Sequence, residues 1–133
     1  MPDLDPAAER TLVEEWRGLL ARHAATACAL DRELNDRHGL GMSDFEVLDR
    51  LAESAGGGSE KLRVQELSGA VHLSQSALSR LLGRLERDGL VQRALCSADR
   101  RGVYVSLTPE GRARHREALP TQREVLARTL TSP

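Results

Sequence analysis

At 133 residues, 40% hydrophobic and 29% charged, the chain is expected to form one domain over residues 1–133 with a modest core. No apolar run approaches the roughly 18 residues of a membrane span, and three aromatic residues, Trp16, Phe45 and Tyr104, are too few to stack the bases of single-stranded nucleic acid. A net charge of −1 taken alone argues against a polyanion binder, but its distribution reverses that: Lys61 to Arg116 carry a local net of +6 and the remainder −7.

The acidic opening MPDLDPAAER lacks the apolar segment of a secretory signal, so the cytoplasm is the expected compartment. Asp5-Pro6 reads as an N-cap followed by proline at the first helical position. Val13, Trp16, Leu20, His23, Ala27, Leu30 and Leu34 then recur in alternating steps of three and four. This seam predicts a helix over residues 6–37, about 45 Å or more in length, too long for the rest of one small chain to cover. A second helix, 43–54, is expected to open with Ser43 and Glu46 in capping-box spacing. AGGGSE is a loop and KLR is too short to assign. Leu67 and Val71 fit a short helix over 64–71, and His72-Leu73 make a turn. Ser74 caps a fourth helix with Leu78, Leu81, Leu82 and Leu85 inward, and Gly89 stops it. LVQRAL and GVYVSL alternate as strands joined through CSADRR, a two-stranded hairpin. Thr108-Pro109 caps a last helix, expected to break near Pro120. The fold expected is mainly α with a small β-hairpin: a winged helix-turn-helix with long terminal dimerisation helices.

The fourth helix begins SQSALSR, placing Ser74, Gln75, Ser76, Ser79 and Arg80 near its N-terminus, with Arg84 one turn on. That end of a recognition helix meets base edges, where Gln pairs with adenine and Arg with guanine or phosphate. Asp99, Arg100 and Arg101 crowd the hairpin tip. A narrow minor groove attracts inserted arginine, and Asp99 is near enough in sequence to orient Arg101. The bland alternatives are a capped, solvated helix face and a charged loop tip.

LSQSALSRLLGRLERDGLVQR followed by DRRGVYVSLTPEGRA resembles the MarR family of bacterial transcriptional regulators. The resemblance rests on the D-x-R tip, the LTPEG start of the last helix and the LERDGLV helix end. It implies a homodimeric winged-helix repressor of duplex DNA on a pseudo-palindromic operator. Residues 1–37 and 109–133 would dimerise through Val13, Trp16, Leu20, Leu119 and Leu126, around a DNA-binding region at 43–107. It also implies a cleft for a small aromatic effector, with Trp16 and His23 as candidates on the first helix. Arg101 would be the minor-groove arginine, Asp99 its orienting partner and Arg100 its neighbour. Such proteins usually carry a further apolar helix beyond the point where this sequence reads LTSP, so a smaller or differently arranged dimer is expected.

Gly83 departs from a good helix by roughly 1 kcal/mol relative to alanine, and close packing is one reason to have it. His23 on the seam reads first as a packed or interfacial histidine. Cys28 and Cys96 match no metal spacing and are expected as thiols, with redox sensing as the alternative. No Ser-His-Asp set, paired carboxylates or phosphate-binding glycine loop is present, so neither an enzyme nor a metal or cofactor is expected. Two other readings stay open: a winged-helix module that binds protein, and a thiol redox-sensing regulator.

Overall fold

A computed structural model describes residues 3–96 and 99–131, and the side chains at positions 96 and 99–101 lie outside the described set. Helix α1 runs Pro6–His38, where Asp5 accepts from the amide of Ala8 at 2.7 Å. Gly39 ends it at φ 68°, and the amides of Gly39 and Leu40 return to the carbonyls of Asn35 and Leu34. Only the C-terminal part of α1 packs: Thr26, Ala29, Leu30 and Leu34 are buried, whereas Leu12, Val13, Trp16, Leu19 and Leu20 stand in solvent.

Helix α2, Met42–Gly56, begins before the expected capping box. Gly41 is the N-cap, and its amide donates to Asp44 Oδ2 at 2.8 Å. Asp31 of α1 takes the amide of Met42 at 2.9 Å, so two carboxylates satisfy the helix start and Ser43 falls inside it. Glu46, the other half of the expected box, pairs instead with Arg50 one turn on.

Strand β1, Lys61–Arg63, is the segment too short to read from sequence. Helices α3, Val64–Val71, and α4, Gln75–Arg87, follow, then β2, Val91–Cys96, and β3, Asp99–Leu107. β3 is central in an antiparallel sheet of order β1-β3-β2, with Leu62 opposite Val105 and Val91 opposite Leu107. The expected hairpin is therefore two-thirds of a three-stranded sheet.

Helix α5, Pro109–Leu130, passes Pro120 without a break. Proline inside a helix costs about 3 kcal/mol, but Ala118, Thr121, Gln122 and Val125 are buried on both sides of it and hold the helix course. α5 lies along the buried end of α1: His38 Nε2 meets Thr121 Oγ1 at 2.7 Å, and Arg114 donates to the His38 carbonyl at 3.0 Å. Val125 is fully buried, and Leu119 and Leu126 pack half-buried on the core. Leu119 and Leu126 were expected at a dimer interface; within one protomer each is already partly covered, and at this end Leu130 remains exposed.

One apolar core joins the lobes, built on Leu34, Leu40, Phe45, Leu48, Leu82 and Val105. A polar knot lies at its edge. Asp49 of α2 accepts from His115 Nε2 of α5 at 2.7 Å and from Arg123 Nη1 at 3.3 Å, while Phe45 stacks on the His115 ring at 5.5 Å.

Candidate nucleic-acid interface

α3 and α4 are joined by a turn in which His72 takes a left-handed φ of 57°, and Ser68 Oγ donates to the Leu73 carbonyl at 2.9 Å. Ser74 Oγ accepts from the Ala77 amide at 3.2 Å, the cap read from sequence. Leu78, Leu81, Leu82 and Leu85 are buried. Their spacing leaves the other face of α4 to solvent, and Ser74, Gln75, Ser76, Ser79 and Arg80 all lie on it. The helix N-terminus, with its partial positive charge, sits at the same end.

Arg84 is placed differently from those five. Its guanidinium pairs with Asp44 on α2 and ties α4 to the helix behind it. Gly83 has open space where a Cβ would stand, so close packing is not its reason. Gly83→Ala is expected to raise stability by about 1 kcal/mol through helix propensity alone, read as a higher melting temperature. A lower one would show that the glycine backbone is needed there.

The root of the wing is fastened to α4. Glu86 accepts the Arg93 amide at 3.1 Å and its guanidinium at 3.0 Å. These bonds, the backbone one first, hold the Glu86 carboxyl below the usual carboxylate range. A lowered folded value means that this contribution is present at neutral pH and is lost as pH falls through it. The wing strands carry the tip, but the side chains of Asp99, Arg100, Arg101 and Cys96 lie outside the described set.

A basic cluster that sequence reading missed lies beside α4. Arg63 Nε donates to Tyr104 Oη at 3.1 Å, and Lys61 Nζ stands 4.7 Å from the centre of the Tyr104 ring. The signal was present as Lys61 and Arg63 at strand period, on a segment too short to be assigned. A groove of about 550 Å³, lined by Arg63, Gln65, Gln75, Ser79, Gly102 and Val103, runs from β1 across α4 to the strand β3 of the wing.

On α1, His23 is exposed at the rim of an apolar hollow of about 330 Å³ lined by Leu19, Thr26, Leu30, Met42 and Leu130. Thr26 Oγ1 is buried there with no hydrogen-bond partner among the described residues. Trp16 stands in solvent outside the hollow, so the two effector candidates are not brought together. Cys28 is an exposed free thiol. Among the described residues no three His, Cys, Asp or Glu side chains gather as a metal site.

The family model described as "MarR family" matches residues 38–102, the segment that holds this face. The MarR family transcriptional regulator AbsC of Streptomyces coelicolor superposes with a TM-score of 0.80 at 30% identity, over 100% of this chain and 86% of that one. The chain belongs to the MarR family. A second MarR family regulator, Sco3205 of Streptomyces coelicolor, solved in complex with DNA, gives a TM-score of 0.83 at 31% identity, over 97% of this chain and 77% of that one. The homoprotocatechuate degradative operon repressor of Escherichia coli is 34% identical over 100 residues, 75% of this chain. The match spans 63% of that repressor's length. Within the MarR family fold, the polar face of α4 and the wing occupy adjoining edges of one surface, as the shared groove lining shows.

Proposed function

We propose that the chain is a sequence-specific, duplex-DNA-binding transcriptional regulator of the cytoplasm, acting as a dimeric repressor released by a small aromatic effector. The observation that carries this reading is the face of α4: small polar side chains and one arginine, all exposed at the N-terminal end of a helix whose other side is leucine. Ser74, Gln75, Ser76, Ser79 and Arg80 would enter the major groove, and Asp99, Arg100 and Arg101 at the wing tip the minor groove. The DNA complex of Sco3205 supports the reading, as does the Escherichia coli relative, a repressor by name. Selection of bound duplexes from a random pool tests it. The expected result is a pseudo-palindromic consensus with half-sites about one helical turn apart, roughly 34–36 Å, and affinity that falls steeply with salt. No enrichment together with salt-insensitive affinity would favour the protein-binding module instead.

The dimer would be built on residues 1–37 and 109–133, around the DNA-binding region at 43–107. Its support is the bare stripe of α1, where Trp16 is 59% exposed and Leu12, Val13, Leu19 and Leu20 flank it. An aromatic anchor in such a stripe carries much of an interface's energy. Trp16→Ala is expected to shift the chain toward monomer in sedimentation and to lower operator affinity with it. An unchanged dimer would remove Trp16 from the interface. The effector would enter the hollow beside His23, where the unpartnered Thr26 hydroxyl offers a hydrogen bond.

A further inference from the structure

We infer that the Lys61–Tyr104–Arg63 cluster is a third DNA-contacting element, one that grips a backbone phosphate beside the recognition helix. The inference rests on the duplex-DNA reading above and extends it to residues outside both α4 and the wing tip.

Lys61 and Arg63 are two apart on β1, so they share one face of the sheet. Tyr104 is directly opposite Arg63 in the β1–β3 register, and it projects to that same face. The Tyr104 ring lies 4.7 Å from Lys61 Nζ and 5.6 Å from the Arg63 guanidinium carbon, and its hydroxyl accepts from Arg63 Nε at 3.1 Å. Two cations held against one ring repel each other. The ring offsets part of that cost by cation–π attraction and fixes where the arginine points. A long, rotamer-rich side chain held in place loses less entropy on binding.

The direction matters because Arg63 shares its groove with Gln75 and Ser79, two side chains of the exposed α4 face. A duplex that brings its major groove onto that face carries a phosphate strand past either side of α4. Arg63 also occupies the N-cap of α3, whose first amides add partial positive charge. The Glu66 carboxylate opposes this: its Oε1 accepts the Arg63 amide at 3.4 Å. That carboxylate is committed to the helix start. A guanidinium matches the geometry of a phosphate, and the contact would add affinity without reading sequence.

The test is binding of a labelled random-sequence duplex across a salt series by wild type, Arg63→Ala, Arg63→Gln, Tyr104→Phe and the Arg63→Ala/Tyr104→Phe double variant. Circular dichroism melts confirm that each is folded. Arg63→Ala and Arg63→Gln are expected to bind roughly tenfold more weakly and to reduce the slope of log affinity against log salt by about one. Tyr104→Phe keeps every charge, so it is expected to weaken binding several-fold with the slope unchanged. In the Arg63→Ala background it is expected to do nothing further, because the hydroxyl it removes is bonded to Arg63 while the ring beside Lys61 is kept. Wild-type binding with affinity and slope unaltered in both Arg63 variants would overturn the inference and leave the DNA reading standing. A Tyr104→Phe loss of the same size with or without Arg63 would overturn the bracing role. A wild type that does not bind duplex DNA would overturn the reading itself.

Discussion

Gly111→Ala is expected to destabilise the chain by about 3 kcal/mol or more, although it adds a single methyl group to a helix. The added Cβ would stand 1.9 Å from the Leu90 carbonyl oxygen and 2.9 Å from its carbon. Neither side can withdraw. The Leu90 carbonyl already accepts the Thr108 amide at 3.1 Å. The Gly111 amide is held by Thr108 Oγ1 at 2.9 Å, and that hydroxyl donates to the Gly89 carbonyl at 2.6 Å. The end of α4, the start of β2 and the first turn of α5 thus meet in one small volume of backbone. The same substitution at Gly83, in open space, is expected to have the opposite sign. Denaturant unfolding of the two variants beside wild type checks both. A Gly111→Ala protein as stable as wild type would show that the Leu90 backbone can move.

Asp49→Ala is expected to cost about 3 kcal/mol, near the upper end of the range for leaving a buried hydrogen-bonding group without its partner. The Asp49 side chain is 10% exposed and that of His115 13%, so water reaches neither freely. Removing the carboxylate strands the imidazole N–H against the Phe45 ring. Arg123, its side chain 49% exposed, can turn to solvent and contributes little to the loss. Asp49→Asn retains an acceptor and is expected to lose less than half as much. Urea unfolding distinguishes them; equal losses for Ala and Asn would mean that charge, and not the hydrogen bond, is what His115 requires.

Much of the fold could be read because its signals are local. The cap at Ser74, the left-handed glycine at position 89 and the leucine spacing of α4 each lie within a few residues of sequence, and all three stand in the structure. The seam of α1 was legible as a helix but not as a division: nothing in its spacing shows that Leu30 and Leu34 face the protomer while Val13 and Trp16 face solvent. β1 escaped because three residues carry no period; its pairing is decided by β3, about forty residues on. The break expected at Pro120 did not occur because tertiary burial on both sides outweighs the local rule. The start of α2 was misread for a similar reason, since Asp31 reaches it from another helix. For the candidate site, the five polar positions of α4 followed from helix geometry. The bracing of Arg63 by Tyr104 and the diversion of Arg84 to Asp44 depend on residues about forty apart, and no local pattern encodes them.

The unbroken course of α5 makes it a lever. Its first turn is locked into the winged lobe at Gly111 and its later turns lie along α1. At 22 residues it is about 33 Å long, so a tilt of about 5° at one end displaces the other by about 3 Å. In the proposed dimer the two levers would be related by a two-fold rotation, so the same tilt in both would shift the two copies of α4 relative to each other by a few ångströms. That is comparable to the roughly 3.4 Å spacing between successive base pairs. On the reading proposed above, a molecule wedged beside Thr26 would then not have to touch the polar face of α4 at all. It would only have to alter the pitch of one rod for the pair of helices to fall out of step with the grooves.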